Sequence, residues 1–354
     1  MMEIRIKGRA VGPGKPTYVI AEMSGNHNQS YDRAVKILEA AKAAGADAVK
    51  LQTYTADTIT LDSDAEPFQV KGGTLWDGQT LHRLYQQAYT PWEWHPELMQ
   101  VAERLNLHLF STPFDPTAVD FLEDIGVPAY KIASPELIDL PLVKKVAETG
   151  KPMIVSTGMA TVGEIEEATG VILEANPGAE VVLLKCTTAY PTPPEEVNLR
   201  TMQNFGDTFD VPYGLSDHTM GTAVAVAAVS LGACVVEKHF CLSRNDPGPD
   251  TAFSMEPEEF STMVGDIRTV EQALGTVHYG PTEKEIVPTK YRRSLFVAED
   301  IQSGEQFTEV NVRSVRPGQG LHPKYLEQVI GCVAKCSLEK GTPLQWNAIE
   351  LPAS

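Results

Sequence analysis

The chain has 354 residues and a formal net charge of −18. That length exceeds what one hydrophobic core usually fills, and so acidic a balance excludes nucleic acid and anionic membrane as partners, since either needs a basic face. No stretch approaches the roughly 20 apolar residues of a membrane span, and the N-terminal MMEIRIKGRA is no secretory signal, so a cytoplasmic protein is expected. Cys186, Cys234, Cys241, Cys332 and Cys336 are odd in number and lack CxxC spacing, which predicts reduced, buried thiols without a disulfide or zinc knuckle.

In chain order, eight short apolar runs end in polar or ionisable residues: YVIAEM (18–23), AVKLQT (48–53), LHLFSTP (107–113), AYKIAS (129–134), PMIVSTG (152–158), VVLLKCT (181–187), YGLSDHT (213–219) and VVEKHF (235–240). Between most of them lie helical patterns. Residues 29–44 carry Ala34, Ile37, Leu38 and Ala41 on one face before the Gly45 stop, and similar patterns fall at 92–105, 116–125, 140–149, 161–175, 219–231 and 256–274. The alternation predicts an α/β fold, a (β/α)8 TIM barrel over residues 1–275, whose chemistry gathers at the C-terminal strand ends. A long insertion at 54–90 reads as a lid or binding loop. Its WDG (76–78) and the following TPWEW (90–94) either offer aromatic platforms for a sugar or pack the loop onto the barrel. Beyond it a polar, proline-broken linker is expected at 276–290, then a small β-rich domain over 291–354 with turns at Ser303-Gly304, Pro317-Gly318 and Lys340-Gly341.

Side chains alternate faces along a strand, so parity sorts the polar residues. Lys50 shares a face with Gln52, Ser216 with His218, and Glu237 with His239. If His239 points into the barrel, Lys238 points out, where its stem could snorkel. His218 and His239 close adjacent strands; they either hold one divalent ion with open positions for water and substrate, or are hydrogen-bonded rim residues. Lys50 and Lys131 lie among apolar neighbours, where an unpaired cation is costly. They can clamp a phosphate and a carboxylate, one of them can form a Schiff base, or they can pair internally with Glu22 or Glu136. Thr112, Ser134, Ser156 and Thr188 supply hydroxyls for a phosphate cradle. Glu22, Glu136 and Asp250 are candidates for acid–base work or substrate hydroxyls, Asp250 from the turn-rich RNDPGPD (244–250). SGNHN (24–28) is either part of the site or a polar loop.

AEMSGNHN (21–28), KLQTYTADTIT (50–60), FSTPFD (110–115), AYKIASPE (129–136), STGMAT (156–161), CTTAYPTPP (186–194), GLSDHT (214–219), EKHF (237–240) and RPGQG (316–320) together resemble the sialic acid synthase family, in order and over about residues 17–351. The HNQS of 27–30, the TYTADTIT run and LWDGQTLHRLYQQAYTPWEWH (75–95) look most like its pseudaminic acid branch. The resemblance implies a TIM barrel followed by an antifreeze-like (SAF) domain, condensing phosphoenolpyruvate with an open-chain diacetamido sugar. It implies a divalent ion at His218 and His239, manganese first, with Mg2+ or Co2+ as alternatives. Lys50 and Lys131 would meet phosphoenolpyruvate, with Thr112, Ser134 and Ser156 around its phosphate. Relatives commonly have asparagine at the position of Thr188, the fourth such contact. Glu22, Glu136 and Asp250 would serve sugar, metal or attacking water, with Gln52, Tyr190 and Ser216 in the same pocket. Arg316 matches an arginine that reaches the active site of the other subunit in a domain-swapped homodimer. Within the family the alternative is an N-acetylneuraminate or legionaminic acid synthase; outside it, a Schiff-base aldolase on Lys50 or Lys131 and a non-catalytic sugar- or ice-binding protein are the competing readings, and the last has no use for so many acids and bases at one rim.

Overall fold

In the computed structural model, residues 3–73 and 75–351 are described. Met1, Met2, Thr74 of the insertion and the last three residues of the expected C-terminal domain lie outside that range. The chain divides into two compact units, residues 1–275 and 276–354.

In the larger unit eight parallel strands close a barrel: β3 (Tyr18–Glu22), β4 (Ala48–Thr53), β5 (His108–Pro113), β6 (Tyr130–Ile132), β7 (Met153–Ser156), β8 (Val181–Cys186), β9 (Tyr213–Asp217) and β10 (Val235–His239). The last pairs with the first, in the register Glu237 to Ile20 and His239 to Glu22. Helices α1 (Tyr31–Ala43), α4 (Trp94–Arg104), α5 (Pro116–Asp124), α6 (Leu140–Glu148), α7 (Val162–Ala175), α9 (Ala223–Ser230) and α10 (Pro257–Leu274) follow the expected pattern. Local chemistry sets their ends. Ser30 accepts from Arg33 N to start α1, and Thr161 with Glu164 forms a capping box on α7. Gly45 lies just past the end of α1 with φ of 91°, a backbone conformation that glycine adopts without Cβ strain.

Sequence periodicity passed over five elements. An antiparallel hairpin of β1 (Ile4–Ile6) and β2 (Arg9–Val11) precedes the barrel, α8 (Thr201–Phe209) completes the outer ring, and the insertion carries α2 (Ala56–Ile59) and α3 (Leu81–Ala88). The hairpin is a plug. Ile4, Ile6 and Val11 join the inward residues Tyr18, Ile20, Ala48, Phe110, Ala129, Ile154, Val182, Leu184 and Val235 in one buried cluster. The lower half of the barrel interior is therefore apolar and closed. The outward residues Val49, Leu51, Val155, Leu183 and Val236 pack under the helices in separate clusters. Each fully buried Leu or Ile contributes roughly 1.5–3 kcal/mol relative to exposure.

The smaller unit pairs β11 (Ser294–Val297) with β12 (Val312–Val315) and β13 (Val333–Ala334) with β14 (Ile349–Glu350), and adds the short helix α11 (Leu326–Val329). It has a core of its own, including Leu295, Ile301, Phe307, Val329 and Leu344. All five cysteines are free; Cys336 is exposed, correcting the expectation that every thiol is buried. Among the described residues no helix is long and apolar enough to cross a membrane.

Gly214 occupies an inward position of β9 because there is no room for more: a Cβ there would lie 2.2 Å from the Val235 carbonyl oxygen and 2.8 Å from Leu184 Cδ2. Gly214→Ala is expected to destabilise the barrel by about 1–3 kcal/mol, lowering the thermal midpoint by several degrees. An unchanged midpoint in calorimetry would show that the barrel relaxes around the added methyl.

Candidate active site

Above the apolar plug the same inward positions turn polar. Glu22, Lys50, Gln52, Lys131, Ser134, Ser156, Tyr190, Ser216, His218 and His239 line one small cavity at the C-terminal mouth of the barrel, together with Ala133, Pro135, Cys186 and Glu237. Thr112 sits beneath it, accepting a hydrogen bond from Lys50 Nζ at 3.3 Å. Parity holds along the strands: Glu22, Lys50, Gln52, Thr112, Lys131, Ser156 and His239 each lie an even number of steps above an apolar residue of the plug, while Ser134 lies past the end of β6 and is out of step with Ala129.

Four charges lie at the centre. Lys50 Nζ is 2.8 Å from Glu22 Oε2 and 3.8 Å from Glu237 Oε2, and Lys131 Nζ is 3.7 Å from Glu237 Oε1. All four residues are at most 5 % exposed, so neither lysine is tolerable without its partners. Sequence reasoning offered Glu22 or Glu136 as partner and left Glu237 out of the site, although its parity with His239 was the available signal. Burial depresses Lys50, but Glu22 and Glu237 outweigh it and the net shift is upward. Burial also depresses Lys131, and there the nearby Glu237 does not fully offset it. Burial raises Glu22; for Glu237 the two lysines win and its carboxyl is held below the usual range. Ser216 Oγ donates to Glu237 Oε1 at 3.0 Å, and Lys131 Nζ to Ser156 Oγ at 2.7 Å.

Gly158 lies tightly against Ser134 and Thr188. Gly158 N donates to Ser134 Oγ at 2.9 Å, and a Cβ on Gly158 would fall 2.5 Å from Thr188 Oγ1 and 2.7 Å from Ser134 Oγ. Thr188 Oγ1 is buried without a hydrogen-bond partner. A buried hydroxyl without a partner is one that a bound ligand can satisfy.

The two imidazoles face each other with ring centroids 5.3 Å apart, flanked by Tyr190 at 4.3 Å from His218 and Phe253 at 5.0 Å from His239. His218 Nδ1 lies 2.9 Å from the Thr187 carbonyl, which fixes Nδ1 as the donor and leaves Nε2 with its lone pair. His239 Nδ1 is buried without a partner. Burial, His218 and the nearby lysines hold His239 well below its ordinary pKa, so its imidazole is neutral. Burial depresses His218 too, yet the neighbouring Cys186 thiol and the Thr187 carbonyl raise it overall. Among the described residues no third His, Cys, Asp or Glu joins the pair in a metal-binding group. The donor set thus fits a divalent ion whose remaining positions fall to water or substrate. Cys186 was missed as a site residue; it lies 4.0 Å from His218 Nδ1, and the contact holds its thiol at about 7 against the opposing effect of burial.

The other predicted residues divide. Asp250 meets the site through Ser24, whose hydroxyl donates to its carboxylate, while Gln52 Nε2 bridges Glu22 Oε1 at 2.8 Å and Ser24 Oγ at 3.2 Å. The rest of SGNHN is structural: Asn26 donates to the Phe240 carbonyl and His27 contacts Thr90. Trp92 stacks on Phe121 and Trp94 lies edge-on to His27, so these two pack the chain onto the barrel. Trp76 is different. It lies edge-on to Tyr190 at 5.9 Å and Phe253 at 6.4 Å, and its Nε1 donates to the Pro249 carbonyl. Lys238 points outward as parity requires, but it does not snorkel, being buried against Asp217. Arg316 lies exposed in the smaller unit, beside Arg292 and Arg293 in one surface groove.

A closed parallel barrel with paired cations, carboxylates and imidazoles at its C-terminal mouth has the architecture of a barrel enzyme for an anionic small molecule. The NeuB family matches residues 37–279 and the SAF domain matches 292–350, so the chain belongs to the NeuB family of sialic-acid-type synthases and carries a C-terminal SAF domain. It is 44 % identical to a pseudaminic acid synthase from Helicobacter pylori, over 95 % of this chain and 98 % of that one. It is 39 % identical to an N,N'-diacetyllegionaminic acid synthase from Campylobacter jejuni, over 90 % and 96 %. A crystal structure of an N-acetylneuraminic acid synthetase from Leptospira borgpetersenii in complex with citrate superposes with a TM-score of 0.72 at 27 % identity, covering 81 % of this chain and 95 % of that one.

Glu136 lies on the turn after β6, with Oε2 buried and unpartnered. Burial raises its carboxyl from 4.5 to about 7. A carboxyl raised in the folded state costs nothing where both states are protonated, and costs stability increasingly as pH rises past the unfolded value towards the folded one. Glu136→Gln is therefore expected to raise the thermal midpoint at pH 8, by an amount worth at most about 3 kcal/mol, with the gain vanishing towards pH 4. Scanning calorimetry of both proteins across that range checks it; a gain independent of pH would assign the effect to packing.

Proposed function

We propose that this chain is a pseudaminic acid synthase, joining phosphoenolpyruvate, 2,4-diacetamido-2,4,6-trideoxy-L-altrose and water into pseudaminic acid with release of phosphate. The observation that carries the reading is 44 % identity to the Helicobacter pylori pseudaminic acid synthase over nearly the whole of both chains. The mouth chemistry supports it. Lys50 and Lys131 hold the carboxylate and phosphate of phosphoenolpyruvate, with Ser134, Ser156 and Thr188 offering hydroxyls to the phosphate oxygens and Thr112 fixing Lys50 from below. His218 and His239 would hold a divalent ion, manganese before magnesium or cobalt, which supplies Lewis-acid stabilisation of negative charge on the sugar aldehyde oxygen.

Glu22, Gln52, Tyr190, Ser216 and Asp250 orient the open-chain sugar so that its aldehyde carbon meets C3 of phosphoenolpyruvate. The new carbon–carbon bond forms between those atoms, leaving C2 electron-poor. Water oriented by Glu136 or a neighbouring carboxylate adds its oxygen at C2 and gives up both protons in turn, one of them to the former aldehyde oxygen, which becomes a hydroxyl, as the C2–O bond to phosphate breaks, phosphate departs with the bonding pair and the C2 carbonyl forms. The product is a nine-carbon 2-keto acid. In this scheme Arg316 enters the site from a second copy in a domain-swapped homodimer, and dependence on phosphoenolpyruvate places the protein in the cytoplasm.

Phosphate release from phosphoenolpyruvate is the direct test, with the diacetamido-altrose, 2,4-diacetamido-2,4,6-trideoxy-D-mannose and N-acetylmannosamine compared. The altrose derivative is expected to give the highest kcat/KM, chelator to abolish release, and His218→Ala to reduce it by roughly 10²-fold or more. Preference for N-acetylmannosamine would overturn the sugar assignment, and full activity in chelator the metal.

A further inference from the structure

Back to back with the two imidazoles, on the outer face of the barrel wall, lies an ion pair with no part in the scheme above. Asp217 and Lys238 are cross-strand partners, the last rung of the ladder joining β9 to β10. Lys238 Nζ donates to Asp217 Oδ2 at 2.6 Å and to the Thr219 carbonyl at 2.6 Å, while Asp217 Oδ1 accepts from Thr219 N at 2.9 Å. Each of the two is only 2 % exposed.

His218 and His239 each follow a member of this pair, one step past the rung where the β9–β10 ladder ends. The sheet itself no longer sets their spacing there. His239 is still held by its pairing with Glu22 on β3, and the His218 ring is oriented by the Thr187 carbonyl. What joins the two segments is the clamp, which grips the chain at 217 and 219, on both sides of His218, from the residue that precedes His239. A buried ion pair is weak support for stability, because desolvation offsets most of its attraction, but it fixes register strongly.

We propose that Asp217 and Lys238 are positioning residues which set the separation of the two imidazoles for a single divalent ion. The inference rests on the reading of His218 and His239 as metal ligands. It makes the alternation of the two strand ends, ligand in and clamp out, one device.

Calorimetric titration of Mn2+ into chelator-stripped full-length protein tests it, alongside titration of phosphoenolpyruvate and a thermal midpoint. Asp217→Asn is expected to weaken Mn2+ by 10- to 100-fold. Because a single change leaves a buried charge unpaired, Asp217→Leu with Lys238→Met replaces both by apolar groups of similar size, and is expected to fold within a few degrees of wild type. It should show the same Mn2+ loss, with phosphoenolpyruvate affinity, which depends on the inner-face lysines, unchanged within twofold. A folded double variant binding Mn2+ within twofold of wild type overturns the proposal, as does an equal loss of both ligands, which marks general disruption. Wild-type protein that takes up no Mn2+ defeats the metal reading itself and this inference with it.

Discussion

Two lysines and two glutamates inside the barrel must neutralise one another, and the remainder of the mouth is organised around that necessity. Removing four charges from water costs several kcal/mol per ion, recovered only by close pairing and by hydrogen bonds to what remains. Lys50 lies between Glu22 and Glu237, Lys131 against Glu237 and Ser156, and Gln52 and Ser216 occupy carboxylate oxygens. The balance is two against two, so an incoming anion would have to compete with the carboxylates for the lysines. The apolar plug below, sealed by the N-terminal hairpin, keeps that competition away from water on one side and leaves the mouth as the way in.

Much of this was written in the alternation of short strands. Period-two parity sent Lys50, Gln52, Ser216, His218 and His239 into the barrel and Lys238 out, and the structure agrees at each position because a strand buried on both faces cannot slip by one residue without inverting all its side chains. Pairing was another matter. Parity places a side chain on a face but does not say which strand end it leans towards, so Glu237 was passed over while Glu136, nearer in sequence to Lys131, was considered. Cys186 was read only for disulfide or metal spacing, which a single thiol against a histidine does not show. The hairpin and α8 escaped for a different reason, since three-residue strands and a helix whose buried face is Met202 and Phe205 carry too little periodic signal.

Sugar choice is the least local property of the molecule. Relatives named for pseudaminic and legionaminic acids stand at 44 % and 39 % identity, and in the proposed function the choice between such sugars would fall to the groups that close over the ring of charges. Trp76, carried by the insertion and lying against Tyr190 and Phe253, is the point where that loop meets the imidazole pair. Trp92, stacked on Phe121 of α5, and Trp94, edge-on to His27 and to Tyr31 of α1, hold the base of the insertion. The loop thus has a fixed root and an aromatic tip near the chemistry.

In the proposed reaction Lys131, released from Glu237, would receive the anionic end of phosphoenolpyruvate. Calorimetric titration of phosphoenolpyruvate into wild-type protein and into a Lys131→Met, Glu237→Gln variant tests it most directly, because the paired change removes one charge of each sign and leaves no buried ion alone. The account predicts a folded variant whose affinity for phosphoenolpyruvate falls by at least about thirtyfold. A folded variant that binds it as tightly as wild type would contradict the account.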